Sequence, residues 1–120
     1  MNHPMRLRHG LCAAAALVSG CHSYHIDTTV ENRAGAAVQL LEVDYPSASF
    51  GVDSVASGSD FRYRIQVRGS GQIKLSYTTA KGKPVLIQGP KLVERQQGRL
   101  DIILEPDGTA QFVVRLTPPS

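Results

Sequence analysis

The sequence predicts an all-β domain of short antiparallel strands. Three observations lead there. After residue 23, turn residues interrupt the chain about every 8–12 positions, the spacing of a sandwich or barrel. Between the turns, apolar residues recur with a period of two, as on the faces of a strand, and not with the 3.6-residue period of a helix. The segment Glu105-Pro106-Asp107-Gly108-Thr109 carries turn chemistry, with proline presetting φ and glycine free to take a positive one.

Taken in order, Tyr24, Ile26, Thr28 and Val30 share one face of a first strand that ends at the turn signal Asn32-Arg33-Ala34-Gly35. Ala37 to Tyr45 is a second strand. Its apolar phase slips at Leu40-Leu41, which predicts a β-bulge or burial on both sides. Pro46 ends it. Residues 47–59 are rich in Ser and Gly and read as a loop with a short edge strand around Ser49–Val52. Phe61, Tyr63, Ile65 and Val67 then alternate with Arg62, Arg64, Gln66 and Arg68, and Ile73, Leu75 and Tyr77 alternate with Lys74, Ser76 and Thr78. Across Gly69-Ser70-Gly71 these two runs predict a hairpin that pairs Val67 with Ile73, Ile65 with Leu75 and Tyr63 with Tyr77. Phe61 and Tyr63 are expected to face the core.

Val85-Leu86-Ile87 is a short strand stopped by Gly89-Pro90, and Lys91 to Arg95 forms either a short strand or a turn. Leu100, Ile102 and Leu104 pair back, through the turn at 105–109, with Phe112, Val114 and Leu116. Ile103 and Val113 lie in the opposite phase, which predicts burial on both faces near the middle. Seven or eight short strands joined largely by hairpins predict a small immunoglobulin-like β-sandwich, with a small barrel as the alternative.

Ahead of the domain lies a leader. Arg6 and Arg8 form a positive region, Leu11 to Val18 is an uninterrupted apolar run, and the small residues Ser19 and Gly20 precede Cys21. This is signal-peptide architecture, and the run is far short of the ~20 residues of a membrane span. Val18-Ser19-Gly20-Cys21 resembles the lipobox of bacterial lipoprotein precursors, with Val18 where that family usually has leucine and Leu17 one place earlier. The resemblance covers the leader alone. It implies cleavage between Gly20 and Cys21, a diacylglyceryl group on the Cys21 sulfur and acylation of the new amine, a multi-chain anchor of the durable kind. His22 stands where an aspartate would favour inner-membrane retention, so the resemblance implies the outer membrane, with the domain facing the periplasm. The expected divisions are a signal peptide at 1–20, the lipidated cysteine and tether at 21–23, the sandwich at 24–117 and a tail at 118–120.

Removal of the leader takes Arg6 and Arg8 with it, and the formal charge of +3 falls to 11 basic side chains against 10 acidic ones. Such a balance gives little long-range steering and argues against a nucleic-acid partner. Cys12 lies in the leader and Cys21 would be acylated, which leaves neither thiol nor disulfide in the mature domain. The histidines are His3, His9, His22 and His25, so the folded body carries no imidazole for a catalytic triad or a zinc site. No catalytic residue, metal or cofactor is assigned. The carboxylates Glu42 and Asp44, Asp53 and Asp60, and Asp101 and Glu105 read as solvated surface charge.

The one contact face the sequence offers is basic. On the predicted hairpin Arg62, Arg64 and Arg68 project from one side, with Lys74 across from Gln66, in a stripe ~20 Å long. It suits anionic head groups, an acidic polysaccharide or an acidic protein patch; Arg and Lys on an outer strand face also simply deter edge pairing. The expected role is a non-catalytic interaction or structural module held at a membrane by Cys21, with a membrane or envelope protein as partner. The alternative is a periplasmic lipoprotein that binds a small ligand or glycan through the loops at 46–60 and 79–84.

Overall fold

The computed structural model describes residues 23–118. They contain eight strands: β1 (Ile26–Asn32), β2 (Val38–Tyr45), β3 (Ala48–Val55), β4 (Asp60–Ile65), β5 (Gly71–Thr78), β6 (Pro84–Leu92), β7 (Gly98–Leu104) and β8 (Ala110–Leu116). They form two four-stranded sheets, in the orders β4-β1-β7-β8 and β3-β2-β5-β6. The two-layer architecture is that of immunoglobulin-like sandwiches, here with four strands to a sheet. Every pairing is antiparallel except β1 with β7, which run parallel.

The inner faces follow the period-two pattern. Ile26, Val30, Leu100, Ile102 and Leu104 from one sheet meet Leu41, Val43, Ile73 and Leu75 from the other, all buried. Full burial of each such side chain is worth about 1.5–3 kcal/mol, so any register that turned these residues outward would be disfavoured. The bulge expected at Leu40-Leu41 is present. The β2–β5 register shifts between Gln39 and Glu42, Leu40 has φ of 52°, and its side chain is thrown out to 66% exposure while Leu41 stays inside.

The hairpin expected between residues 61–67 and 73–77 is not formed. β4 pairs with β1 in one sheet, β5 pairs with β2 and β6 in the other, and residues 66–70 carry the chain between the layers. Both alternatives satisfy the apolar phase of β4. Pairing with β1 also sets Ile26 beside Ile65, Val30 beside Phe61, and Asp27 beside Arg64. Tyr63, expected in the core, is 46% exposed and stacks on Phe50 with ring centroids 4.7 Å apart, because β4 is an edge strand and the Phe50 ring covers its rim of the sandwich.

Two further expectations are corrected. The segment read as a loop at 47–59 contains a full eight-residue edge strand, β3, reached by a tight turn in which Ser47 has φ of 83°. Gly89-Pro90 does not end β6, which runs on to Leu92. Opposite these residues the β5–β6 register shifts between Gln72 and Lys74. Pro90 is tolerated because β6 is an edge strand. Gly89 is required by close approach: a Cβ there would run into Ile73 and the ring of Phe112 from the other sheet.

Asn32 ends β1 and is fully buried. Its Nδ2 donates to the carbonyls of Ala36 at 2.9 Å, Val55 at 3.0 Å and Ala56 at 3.3 Å, while its Oδ1 accepts from the Ala34 amide at 3.0 Å. One amide thus ties the end of β1 to the end of β3 in the opposite sheet. Thr28 is the contrast: its Oγ1 is buried with no hydrogen-bond partner. Urea unfolding should therefore show Asn32→Ala less stable by about 2–4 kcal/mol, since it strands several backbone groups, and Thr28→Val more stable by about 1 kcal/mol.

Candidate functional site

The residues expected at the leader junction, Gly20 and Cys21, lie outside the described residues. The four members of the expected basic face are divided. Arg62 and Arg64 are exposed on the outer side of β4, Arg68 is exposed in the link at 66–70, and Lys74 is on the outer side of the other sheet, in register with Asp44. The stripe across a β4–β5 hairpin therefore does not exist.

In its place the register of the β4-β1-β7-β8 sheet assembles three outward rows. The first holds Arg64, Asp27, Arg99 and Arg115. The second holds Arg62, Thr29, Asp101 and Val113. The third holds Asp60, Glu31, Ile103 and Gln111. The rows run from three arginines against one carboxylate, through a balanced pair, to two carboxylates with no cation. Ile103 and Val113, expected to be buried on this side too, are half-buried within it.

Ion pairs organise the basic row. Arg64 Nε donates to Asp27 Oδ1 at 2.9 Å. Arg99 and Arg115 approach opposite oxygens of Asp101 at 3.8 and 4.0 Å, with the Asp101 side chain only 15% exposed. Asp101, read from the sequence as a solvated carboxylate, thus holds two arginines that would otherwise face each other directly across β7 and β8. A shallow depression of about 630 Å³ lies over this ground, lined by Asp27, Thr29, Arg62, Tyr63, Arg64 and Arg99.

The basic row lies at the end of the sandwich where β1 starts. Ser23 and His25 line a surface depression with Gln97, Arg99, Arg115 and Thr117. The His25 carbonyl accepts from the Gly98 amide at 3.2 Å. Gly98, with φ of 135°, has the Arg115 carbonyl where a Cβ would sit, so the first step of β7 is closed to any side chain.

The opposite end is formed by the turns after β1, β3, β5 and β7. There Asp107 Oδ1 accepts from the Thr109 hydroxyl at 2.6 Å and its amide at 3.1 Å, which holds the Asp107 carboxyl below the usual carboxylate range. A cleft of about 320 Å³ opens between these turns, lined by Ala34, Val38, Tyr77, Lys81, Glu105 and Pro106 among others. Burial, and then the charge of Asp107, push the Tyr77 hydroxyl above its ordinary value. Of the loops expected to bind a ligand, 79–83 lies here, whereas much of 46–60 is strand β3.

No family model matches the chain, and no curated protein matches it. Among solved structures, an NMR structure of a protein from Eubacterium rectale is similar, with a TM-score of 0.55 and 15% identity over 80% of this chain and 90% of that one. At that identity the likeness shows the fold alone.

Among the described residues no three His, Cys, Asp or Glu side chains converge as a metal site would require. Glu42 and Asp44 share the outer face of β2, as their spacing predicts. A hydrogen bond with Asp44 and its negative charge raise the Glu42 carboxyl above the ordinary value. A raised carboxyl favours the protonated folded state. This contribution is present below the ordinary carboxylate value and is lost as pH rises through the raised one. NMR titration should find the Glu42 midpoint above that of an isolated glutamate, and Asp44→Asn should lower it.

Proposed function

We propose that this chain is a bacterial envelope lipoprotein whose β-sandwich works without catalysis, as an interaction or structural module held against the membrane by acyl chains on Cys21. The observation that carries the reading is the shortness of the tether. Ser23 already lines the domain surface beside Arg99 and Arg115, and β1 begins at Ile26. Two extended residue steps from Cys21 to Ser23 span at most ~7 Å. A domain on so short a leash stays at the bilayer and meets partners that are themselves in or on the membrane. The periplasmic face of the outer membrane is the proposed location, from His22 following the cysteine. The shallowness of the arginine-lined depression favours contact with an extended surface.

A second reading has one observation in its favour. The turn-end cleft of about 320 Å³ is at the lower bound of small-molecule sites, with apolar walls and the charged rims Lys81 and Glu105. A ligand or glycan bound there would give NMR shift changes confined to residues 34–38, 77–83 and 105–108.

Two measurements test the main reading. Mass spectrometry of the membrane-extracted protein should find residue 21 as the N-terminus, carrying acyl mass. Cys21→Ala should abolish the acylation and leave the leader attached. A soluble product with a bare Cys21 thiol would end the proposal. A flexible linker of about 30 residues inserted after Ser23 should impair function while acylation and folding persist, since it releases the domain from the surface.

A further inference from the structure

We infer that the β1-start end of the sandwich is a docking face for an anionic phospholipid surface, with Arg64, Arg99 and Arg115 as its centre. The inference rests on the anchoring proposed above and adds the orientation in which the domain is held.

Charge distribution, not net charge, carries it. With the leader removed the chain is nearly neutral, yet its charges are sorted along the strands. At the β1-start end the first outward row gives Arg64, Arg99 and Arg115. The links at that end, 66–70 and 93–97, contribute exposed Arg68 and Arg95, and Lys91 stands one position inside the end of β6. Against these six cations stand Asp27 and Glu94, and the next outward row adds one charge of each sign, Arg62 and the Asp101 carboxylate that Arg99 and Arg115 approach. On the second sheet the next outward pair, Lys74 opposite Asp44, adds one charge of each sign. At the far end, by contrast, Glu31, Asp53, Asp60, Glu105 and Asp107 outnumber Arg33, Lys81 and Lys83.

The position of the tether selects the occupant. Ser23 lies among Arg99, Arg115 and Thr117 at the basic end, so an anchor at Cys21 draws these arginines to the head groups, not the acidic turns. Lipid phosphates suit them twice over. Guanidinium groups bind phosphate in bidentate fashion. Each basic residue near an anionic surface also adds roughly fivefold to partitioning. The acidic far end is repelled from the same surface, so the two ends act in one direction. The Arg64–Asp27 pair is exposed and adds little to folding, and the Arg99 and Arg115 side chains stay about two-thirds exposed beside Asp101, which leaves their guanidinium groups accessible.

The test uses the mature chain, residues 21–120, carrying Cys21→Ser, so that no acyl chain contributes; all eight strands and the whole core lie inside it. Flotation with vesicles of phosphatidylglycerol and phosphatidylethanolamine should recover the protein at low ionic strength. Vesicles of phosphatidylcholine alone should not, and binding should fall steeply by about 0.3 M salt as screening shortens. Arg64→Gln with Arg68→Gln and Arg95→Gln should lower partitioning roughly 100-fold. Arg99 and Arg115 hold the partly buried Asp101, so their glutamine variants are read only beside a thermal melt that confirms folding. Lys81→Gln with Lys83→Gln, at the far end, should leave partitioning unchanged.

Three outcomes overturn the inference: no recovery with anionic vesicles, equal recovery with phosphatidylcholine, or an equal loss from the lysine pair. Retention on an acidic polysaccharide matrix without vesicle binding would overturn it in favour of a saccharide. Because the probe carries no lipid, the outcome is independent of the anchor. A bare Cys21 with intact vesicle binding removes only the anchor, and an acylated Cys21 without vesicle binding removes only the docking face.

Discussion

Strand β1 has neighbours on both sides, and most of what is distinctive in the molecule follows from that constraint. Antiparallel to β4 and parallel to β7, it has no free edge and no freedom to slide. A one-residue slip would exchange Ile26, Thr28, Val30 and Asn32 for Asp27, Thr29 and Glu31 at the core face. Asn32 closes one end with hydrogen bonds into the opposite sheet, and the His25 carbonyl closes the other on Gly98. The residues just before β1 are therefore held at a fixed place on the surface. Any anchor attached there fixes the domain as well.

The same placement decides which charges become neighbours. Arg99 and Arg115 face each other across the β7–β8 hairpin, and Arg64, far from both in the chain, joins them only because β1 connects β4 to β7. The contribution of Arg64 to folding is small. The Arg64–Asp27 pair is exposed on both sides, and pairs of that kind contribute about 0–1 kcal/mol. Arg99 opposite Arg115 is unfavourable by itself and is relieved by Asp101. Asp101 thus ties Arg99 and Arg115 to the sheet, while Arg64 at the edge is only lightly held.

Much of this sandwich was legible in the sequence, and the limits have a physical pattern. Period-two alternation revealed the inner faces of β1, β5 and β7, the phase slip at Leu40-Leu41 revealed the bulge, and Pro106-Asp107-Gly108 revealed the last turn. These are local signals. Sheet membership is not local. The inner phase of β4 fits β5 through a short glycine turn as well as it fits β1, and nothing near Gly69-Ser70-Gly71 distinguishes a hairpin from a crossing between layers. That ambiguity carried Lys74 into a stripe it does not share, and hid Arg99 and Arg115, whose proximity to Arg64 arises from a parallel pairing across most of the domain. A signal that could have pointed to them was charge complementarity: a carboxylate such as Asp27 on β1 favours a cationic cross-strand neighbour, as Arg64 is. Asn32 was readable as a turn former but not as a buried bridge, since its acceptors at Val55 and Ala56 belong to a segment read as loop.

The two ends of the sandwich therefore differ in kind. With acyl chains on Cys21, the β1-start end faces the bilayer, and the turns after β1, β3, β5 and β7 point away from it. Strands of six to nine residues separate the two, a distance of ~25 Å. Under the proposed anchoring, that would be the farthest the domain projects from the bilayer. It carries to that height an acidic rim, a small apolar cleft and the Leu40 side chain that the bulge pushes into solvent. A partner that meets this rim need not cross the compartment. It has only to rise by the thickness of one small domain, which fits a protein embedded in, or tethered to, the same bilayer.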